Sequence, residues 1–112
     1  MKKINIVKKN EDFARIIKEN NSYNLKQFII FVDNNYSGVY QFGISVSKKI
    51  GNAVTRNKIK RQIKNIIDKK DYKNDFKCII IIRKNFLLKT FSQNESDLIN
   101  VFKKFHLLKE DN

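Results

Sequence analysis

The sequence predicts an α/β two-layer sandwich with one small sheet. Three observations carry that expectation. The alternating run Val39–Ser47 places Tyr40, Phe42, Ile44 and Val46 on one side, as a strand with one buried face does. The continuous apolar run Cys78–Arg83 fits a strand buried on both faces. Between them lies a long amphipathic stretch with isoleucines at helical spacing. The full order reads α, β, β, a further short strand in some versions of the pattern, then α, β, α, which makes a helix layer on a sheet layer.

The first helix is expected to begin at Asn10, a capping residue followed by Glu11 and Asp12 in the first turn. Phe13, Ala14, Ile16 and Ile17 supply its apolar side, and Asn20, Asn21 and Ser22 end it. Gln27–Val32 is rich in β-formers and reads as a strand, with Ile29 and Phe31 on one face and Phe28 and Ile30 on the other. Asn34–Gly38 is a turn before the alternating strand. Lys48–Asn52 is a loop, and a helix from Ala53 to Lys69 follows.

At about 100° per residue, Ile59, Ile63, Ile66 and Ile67 fall within roughly 100° of one another. Lys60, Lys64, Asn57, Arg61 and Lys58 spread over an arc from roughly 100° to 260° relative to Ile59. Arg56 lies near the apolar flank, which suggests a positioned guanidinium. Asp68–Lys77 is a polar connection. Ser92 with Glu95 reads as a capping box for a last helix carrying Leu98, Phe102, Phe105 and Leu108, with His106 inside it. There is no proline, so helix stops fall to Asn, Gly and Asp.

At 112 residues the chain is expected to form one domain over 1–112, and its 41% hydrophobic content suffices for one core. The net charge of +13 favours a polyanionic partner. Lysine bias alone, twenty against four arginines, would not clear every acid from residues 34–67. A single cysteine permits no internal disulfide and fits a reducing cytoplasm, where the protein is expected to reside. No stretch approaches the roughly 18 apolar residues of a membrane span, and no signal-peptide core is visible.

The groups needed for autonomous hydrolysis are missing. His106 is the only histidine, Cys78 opens a buried strand, and the eleven acids are scattered. No zinc spacing or phosphate loop is present, since Gly51 follows its lysines instead of preceding them. What is present is cationic. Lys48, Lys49, Arg56, Lys58, Lys60, Arg61 and Lys64 fall between Gly43 and Ile67 with no acid among them. Contacts with about five phosphates would give a log–log salt slope of roughly −3.5 to −4.5. Arg56-Asn57 adds a guanidinium fork and an amide that grip phosphate or a base edge. Phe13, Ile17, Ile29 and Phe31 form a second, apolar set. On residue type alone they read as core; on a sheet face left open by the helices they would be a stacking platform for single-stranded RNA.

The segment GISVSKKIGNAVTRNKIKRQIKNII, Gly43–Ile67, closely resembles the signature of the protein subunit of bacterial ribonuclease P. The likeness extends through KKNEDFARIIK (Lys8–Lys18), QFIIF (Gln27–Phe31) and DFKCIIIIRK (Asp75–Lys84), and so covers most of the chain. Where the family usually reads Arg-Asn-Arg, this chain has Arg56-Asn57-Lys58, and where an aromatic often follows Phe13 by one turn it has Ile17. The resemblance implies the family's sandwich with a left-handed βαβ crossover, as in a ribosomal-protein fold, and helices mainly on one face. It implies a partner, the catalytic RNA, gripped by Lys48, Lys49, Asn52, Arg56, Asn57, Lys58, Lys60, Arg61 and Lys64. It implies a leader-binding cleft for precursor tRNA at Phe13, Ile17, Ile29 and Phe31. Cleavage would be the work of the RNA with magnesium, with Asn57 placed to orient a phosphate or a hydrated magnesium ion, and no obligate protein partner or membrane is expected.

Three rival readings remain at the level of residues. A general or ribosomal RNA-binding protein shares the charge pattern. A protein-only nuclease would need a carboxylate or histidine cluster. An anionic-membrane binder would need an exposed apolar helix face.

Overall fold

A computed structural model describes residues 1–109. Its helices are α1 (Asn10–Glu19), α2 (Ala53–Asp68) and α3 (Phe91–Lys104), and its strands are β1 (Ser22–Asn24), β2 (Phe28–Asp33), β3 (Gln41–Ser45) and β4 (Lys77–Ile82). Short 3-10 turns occupy Lys3–Asn5 and Lys84–Leu88. The sheet order is β1-β2-β4-β3. β2 is antiparallel to both β1 and β4, whereas β3 runs parallel to β4. Parallel neighbours need a crossover, and α2 provides it.

The two faces of the sheet are covered unequally. Phe28 and Ile30 of β2, Phe42 of β3, and Cys78, Ile80 and Ile82 of β4 join the isoleucines of α2 and Leu98, Val101 and Phe102 of α3 in the main core. The opposite face carries a smaller cluster of Val7, Ile16, Phe31 and Ile79, edged by Phe13, Ile29 and Ile81. Two helices therefore lie on one side, and only α1 on the other.

α2 follows its sequence most closely. Asn52 is the N-cap, its side chain accepting a hydrogen bond from the Thr55 amide at 2.9 Å. Ile59, Ile63, Ile66 and Ile67 are buried.

Elsewhere the local detail departs from expectation. Asn10 does not cap α1 with its side chain; Lys9 occupies the N-cap, and Glu11 and Asp12 still sit in the first turn, where they favour the helix dipole. The capping box of α3 is formed by Thr90 and Gln93, not Ser92 and Glu95. The Gln93 amide donates to Thr90 Oγ1 at 3.1 Å, and the Thr90 amide donates to Gln93 Oε1 at 2.9 Å. With the helix starting at Phe91, Ser92 falls inside it, and Glu95 instead accepts from Lys69 Nζ at 2.6 Å.

His106 and Leu108 lie beyond α3. His106 adopts a left-handed conformation with φ 56, a turn that sends Leu107 back into the core. The additional short strand precedes β2 instead of following β3, because the polar Ser-Tyr-Asn segment gains strand structure only by pairing Ser22–Asn24 with Ile29–Phe31.

Candidate nucleic-acid interface

The first surface is the outer side of α2 with the loop before it. Lys48, Lys49, Asn52, Asn57, Lys58, Arg61 and Lys64 are exposed, while Arg56 and Lys60 are half-buried. None of the seven cations pairs with an acid of the described residues. By contrast, Arg15 bonds Asp33 at 3.1 Å, Lys69 bonds Glu95 at 2.6 Å, and Lys77 meets Asp12 at 3.5 Å. The cations of α2 thus face solvent with their field uncancelled, which is the arrangement a phosphate backbone neutralises.

Arg56 is held as its helical position implies. Its Nε is buried without a hydrogen-bond partner, so the stem is packed against the protein. Asn52 plays a double part: its side-chain oxygen is committed to the helix cap, leaving only its NH2 for a partner. Gly51 sits close over that first turn, where an added Cβ would lie 3.1 Å from the Thr55 side chain.

The second surface is the less covered sheet face. Cross-strand register builds it in rows. Asn24 pairs with Ile29, Ile29 with Ile81, and Ile81 with Ser45. The next row runs Ser22, Phe31, Ile79 and Gly43. The third pairs Asp33 with Lys77 and Lys77 with Gln41.

α1 lies over the second and third rows. Ile16 is buried there, and the Phe13 ring rests on Gly43. A Cβ at Gly43 would fall 2.5 Å from Phe13 Cζ and 2.7 Å from Ile79 Cδ1, so only glycine permits this approach. Two ion pairs pin the helix, Arg15 to the buried Asp33 and Asp12 to the buried Lys77. The hydrogen bond to Asp33 raises the Arg15 pKa, with Glu19 adding to it.

The first row stays open. Ile29, Ile81 and Ser45 are half-buried and Asn24 is exposed. Phe13, half-buried, edges this row from α1, and Ile17, 37% exposed, stands one helical turn further along that helix. Of the four apolar residues singled out from the sequence, Phe13, Ile29 and Phe31 belong to one cluster on this face, and Ile17 lies outside it on α1. Phe31 is only 8% exposed and packs mainly within the cluster, whereas Phe13 and Ile29 are half-buried and Ile17 is exposed. Ile81, Ser45 and Asn24 complete the trough and were not evident from the sequence. Ile81 is hidden in a uniform run of isoleucines, and only strand register shows that it borders Ile29.

Burial pushes the Cys78 thiol pKa up, so it holds no thiolate for attack. Among the described residues, no group of three or more His, Cys, Asp or Glu is placed to hold a metal. Asn57, an isolated amide among cations, does not fit a resident magnesium site, which takes carboxylate or phosphate oxygens. No helix is long and apolar enough to cross a membrane among the described residues.

Known proteins resemble this chain in sequence and fold. The sequence model of the family described as Ribonuclease P matches residues 1–106. The ribonuclease P protein component of Mesoplasma florum is 38% identical over 110 residues, covering 94% of this chain and 98% of that protein. Its counterpart in Streptococcus pneumoniae is 38% identical over 114 residues, covering 100% and 93%. Among solved structures, a mutant RNase P protein of Staphylococcus aureus superposes with a TM-score of 0.84 at 38% identity, covering 95% of this chain and 92% of that one. The RNase P protein of Thermotoga maritima gives 0.77 at 28% identity, covering 88% and 94%. Likeness of this extent takes in the β3–α2–β4 crossover, so the fold is the one the resemblance implied. The chain belongs to the ribonuclease P protein family, as the protein component of a tRNA-processing enzyme whose catalyst is RNA.

Proposed function

We propose that the two surfaces divide the work between the two RNAs of the reaction. The cationic arc of α2, with Lys48 and Lys49, grips the catalytic RNA. The trough of Asn24, Ile29, Ile81 and Ser45, rimmed by Phe13 and Ile17, takes the single-stranded 5′ leader of precursor tRNA. The observation that carries this division is the separation of an unneutralised basic helix from a half-open apolar sheet face on one small protein.

Lys60, Arg61 and Lys64 supply phosphate contacts, and Arg56, held by its buried stem, supplies a fixed guanidinium. Lysines near the substrate reduce repulsion among crowded phosphates. The complex then works at lower magnesium, with the metal held by RNA oxygens and no catalytic group from the protein. Leader contacts exist in the precursor and not in the product, so the complex discriminates between them. The setting for this reaction is the cytoplasm.

Reconstitution with the cognate RNA at low magnesium tests this. Precursor cleavage should rise strongly when the protein is added, and the protein alone should cut nothing. Cleavage by the protein alone, or no stimulation, would overturn the proposal.

A further inference from the structure

A cavity of about 270 Å³ lies between α2, the Lys84–Leu88 turn and the start of α3, away from the sheet trough. Its wall is mixed: Ile59, Phe86, Leu87 and Phe91 line one part of it, and Thr55, Gln62 and Asn94, with two lysines, the rest. Its size is near the lower end of the roughly 300–1,000 Å³ of small-ligand pockets, suited to one flat ring system. Lys58 and Lys89 stand at it, and none of its lining residues is acidic. Lys69, paired with Glu95, lies 5.2 Å from the centre of the Phe91 ring on the outer side of that wall residue.

Of the polar residues in the wall, Asn94 is the buried one. It is 1% exposed, and its Nδ2 donates to the Phe86 carbonyl at 3.1 Å. Its Oδ1 is buried with no partner. An unsatisfied buried acceptor costs roughly 1–3 kcal/mol, a deficit that an N–H donor in the cavity would relieve. Oδ1 is closed to solvent, so a donor reaches it only when the exposed Leu87 and Phe91 side chains of the wall turn aside.

Lys58 connects the cavity to the RNA-facing surface. It ends the cationic arc of α2 and lines the cavity, so a strand held by Lys60, Arg61 and Lys64 can turn one nucleotide inward there. We propose that this cavity seats a single unpaired nucleobase of the catalytic RNA, one bearing an exocyclic amino group. The amino group donates to Asn94 Oδ1, the ring packs among Ile59, Phe86 and Phe91, and the phosphate lies against Lys58 and Lys89. This rests on the assignment of α2 to the catalytic RNA. With no acid among the lining residues and Lys58 and Lys89 flanking it, the cavity favours RNA over a protein segment as the occupant.

The test pairs two ligands that differ only in the donor: adenosine 5′-monophosphate and purine riboside 5′-monophosphate, which lacks the amino group. Amide NMR shifts at Lys58, Ile59, Leu87 and Phe91 report occupancy of the intact protein. Adenosine monophosphate should bind at least about fivefold more tightly, the equivalent of one satisfied buried acceptor. Lys89→Glu, a surface change, should weaken it further. In the reconstituted complex, a photo-crosslinker at Leu87 should mark one unpaired nucleotide of the catalytic RNA.

Equal binding of the two nucleotides, or shifts confined to residues outside the cavity, would overturn the proposal. So would crosslinks to protein alone. If the catalytic RNA binds α2 normally while neither nucleotide enters the cavity, the base pocket fails and the assignment of α2 stands. If the RNA itself does not bind, that assignment fails.

Discussion

Replacing Ile81 with alanine tests the trough at its centre. Ile81 is half-buried and flanked by Ile29 and Ser45 in the open row, so it is the floor residue a leader nucleotide would cover. The change removes about three carbon groups. Full burial is worth about 0.8 kcal/mol per CH2, and with roughly half of that supplied by the leader, binding should lose about 1 kcal/mol. That corresponds to an about fivefold rise in the precursor dissociation constant. Mature tRNA, which has no leader, should be unaffected. Direct binding of precursor and mature tRNA to the reconstituted complex measures both. Equal weakening of the two, or none of either, would refute the placement of the leader on this face. Phe31→Ala is a poorer probe: Phe31 is 8% exposed, and truncating a buried phenylalanine costs roughly 3–5 kcal/mol of fold stability before any ligand is considered.

Other perturbations separate the surfaces. Lys60→Gln, Arg61→Gln and Lys64→Gln together should flatten the log–log salt dependence of catalytic-RNA binding by about 2–3, at roughly 0.7–0.9 per lost phosphate contact. The melting temperature should hardly move, since none of the three pairs with a described acid; an unchanged salt slope would remove α2 from the RNA contact. Gly43→Ala drives a Cβ into Phe13 and Ile79, and should cost about 1–3 kcal/mol by overpacking while weakening precursor binding through a displaced α1; chemical denaturation reads the first effect. Cys78 should stay unmodified by a thiol reagent at neutral pH and react only in denaturant, because burial both shields the thiol and raises its pKa.

Legibility in the sequence followed the strength of local signals. α2 was readable nearly to the residue from four isoleucines on one stripe, whereas the Asn52 cap came only from the structure. β4 was readable from its unbroken apolar run. The cationic set was visible from the absence of any acid between residues 34 and 67. Three features depended on tertiary structure. β1 has no strand-like composition and exists by pairing with β2. The choice between Thr90–Gln93 and Ser92–Glu95 as the capping box turned on where α3 starts, a shift of two residues that the pattern does not fix. The trough needed register: whether Phe31 or Ile81 lies open depends on which rows α1 covers, where Ile16 and Phe13 pack on the sheet beside the Arg15–Asp33 and Asp12–Lys77 ion pairs.

The central claim is that one protein holds the catalytic RNA on a helix and the leader on a sheet. The most direct measurement is the ratio of precursor to mature tRNA affinity for the catalytic RNA, with and without this protein, at fixed salt and magnesium. The two-surface account predicts that the protein raises precursor affinity well beyond that of mature tRNA, and that the gain disappears when the leader is trimmed away. An equal gain for both would contradict it, leaving a basic protein that only screens phosphate charge.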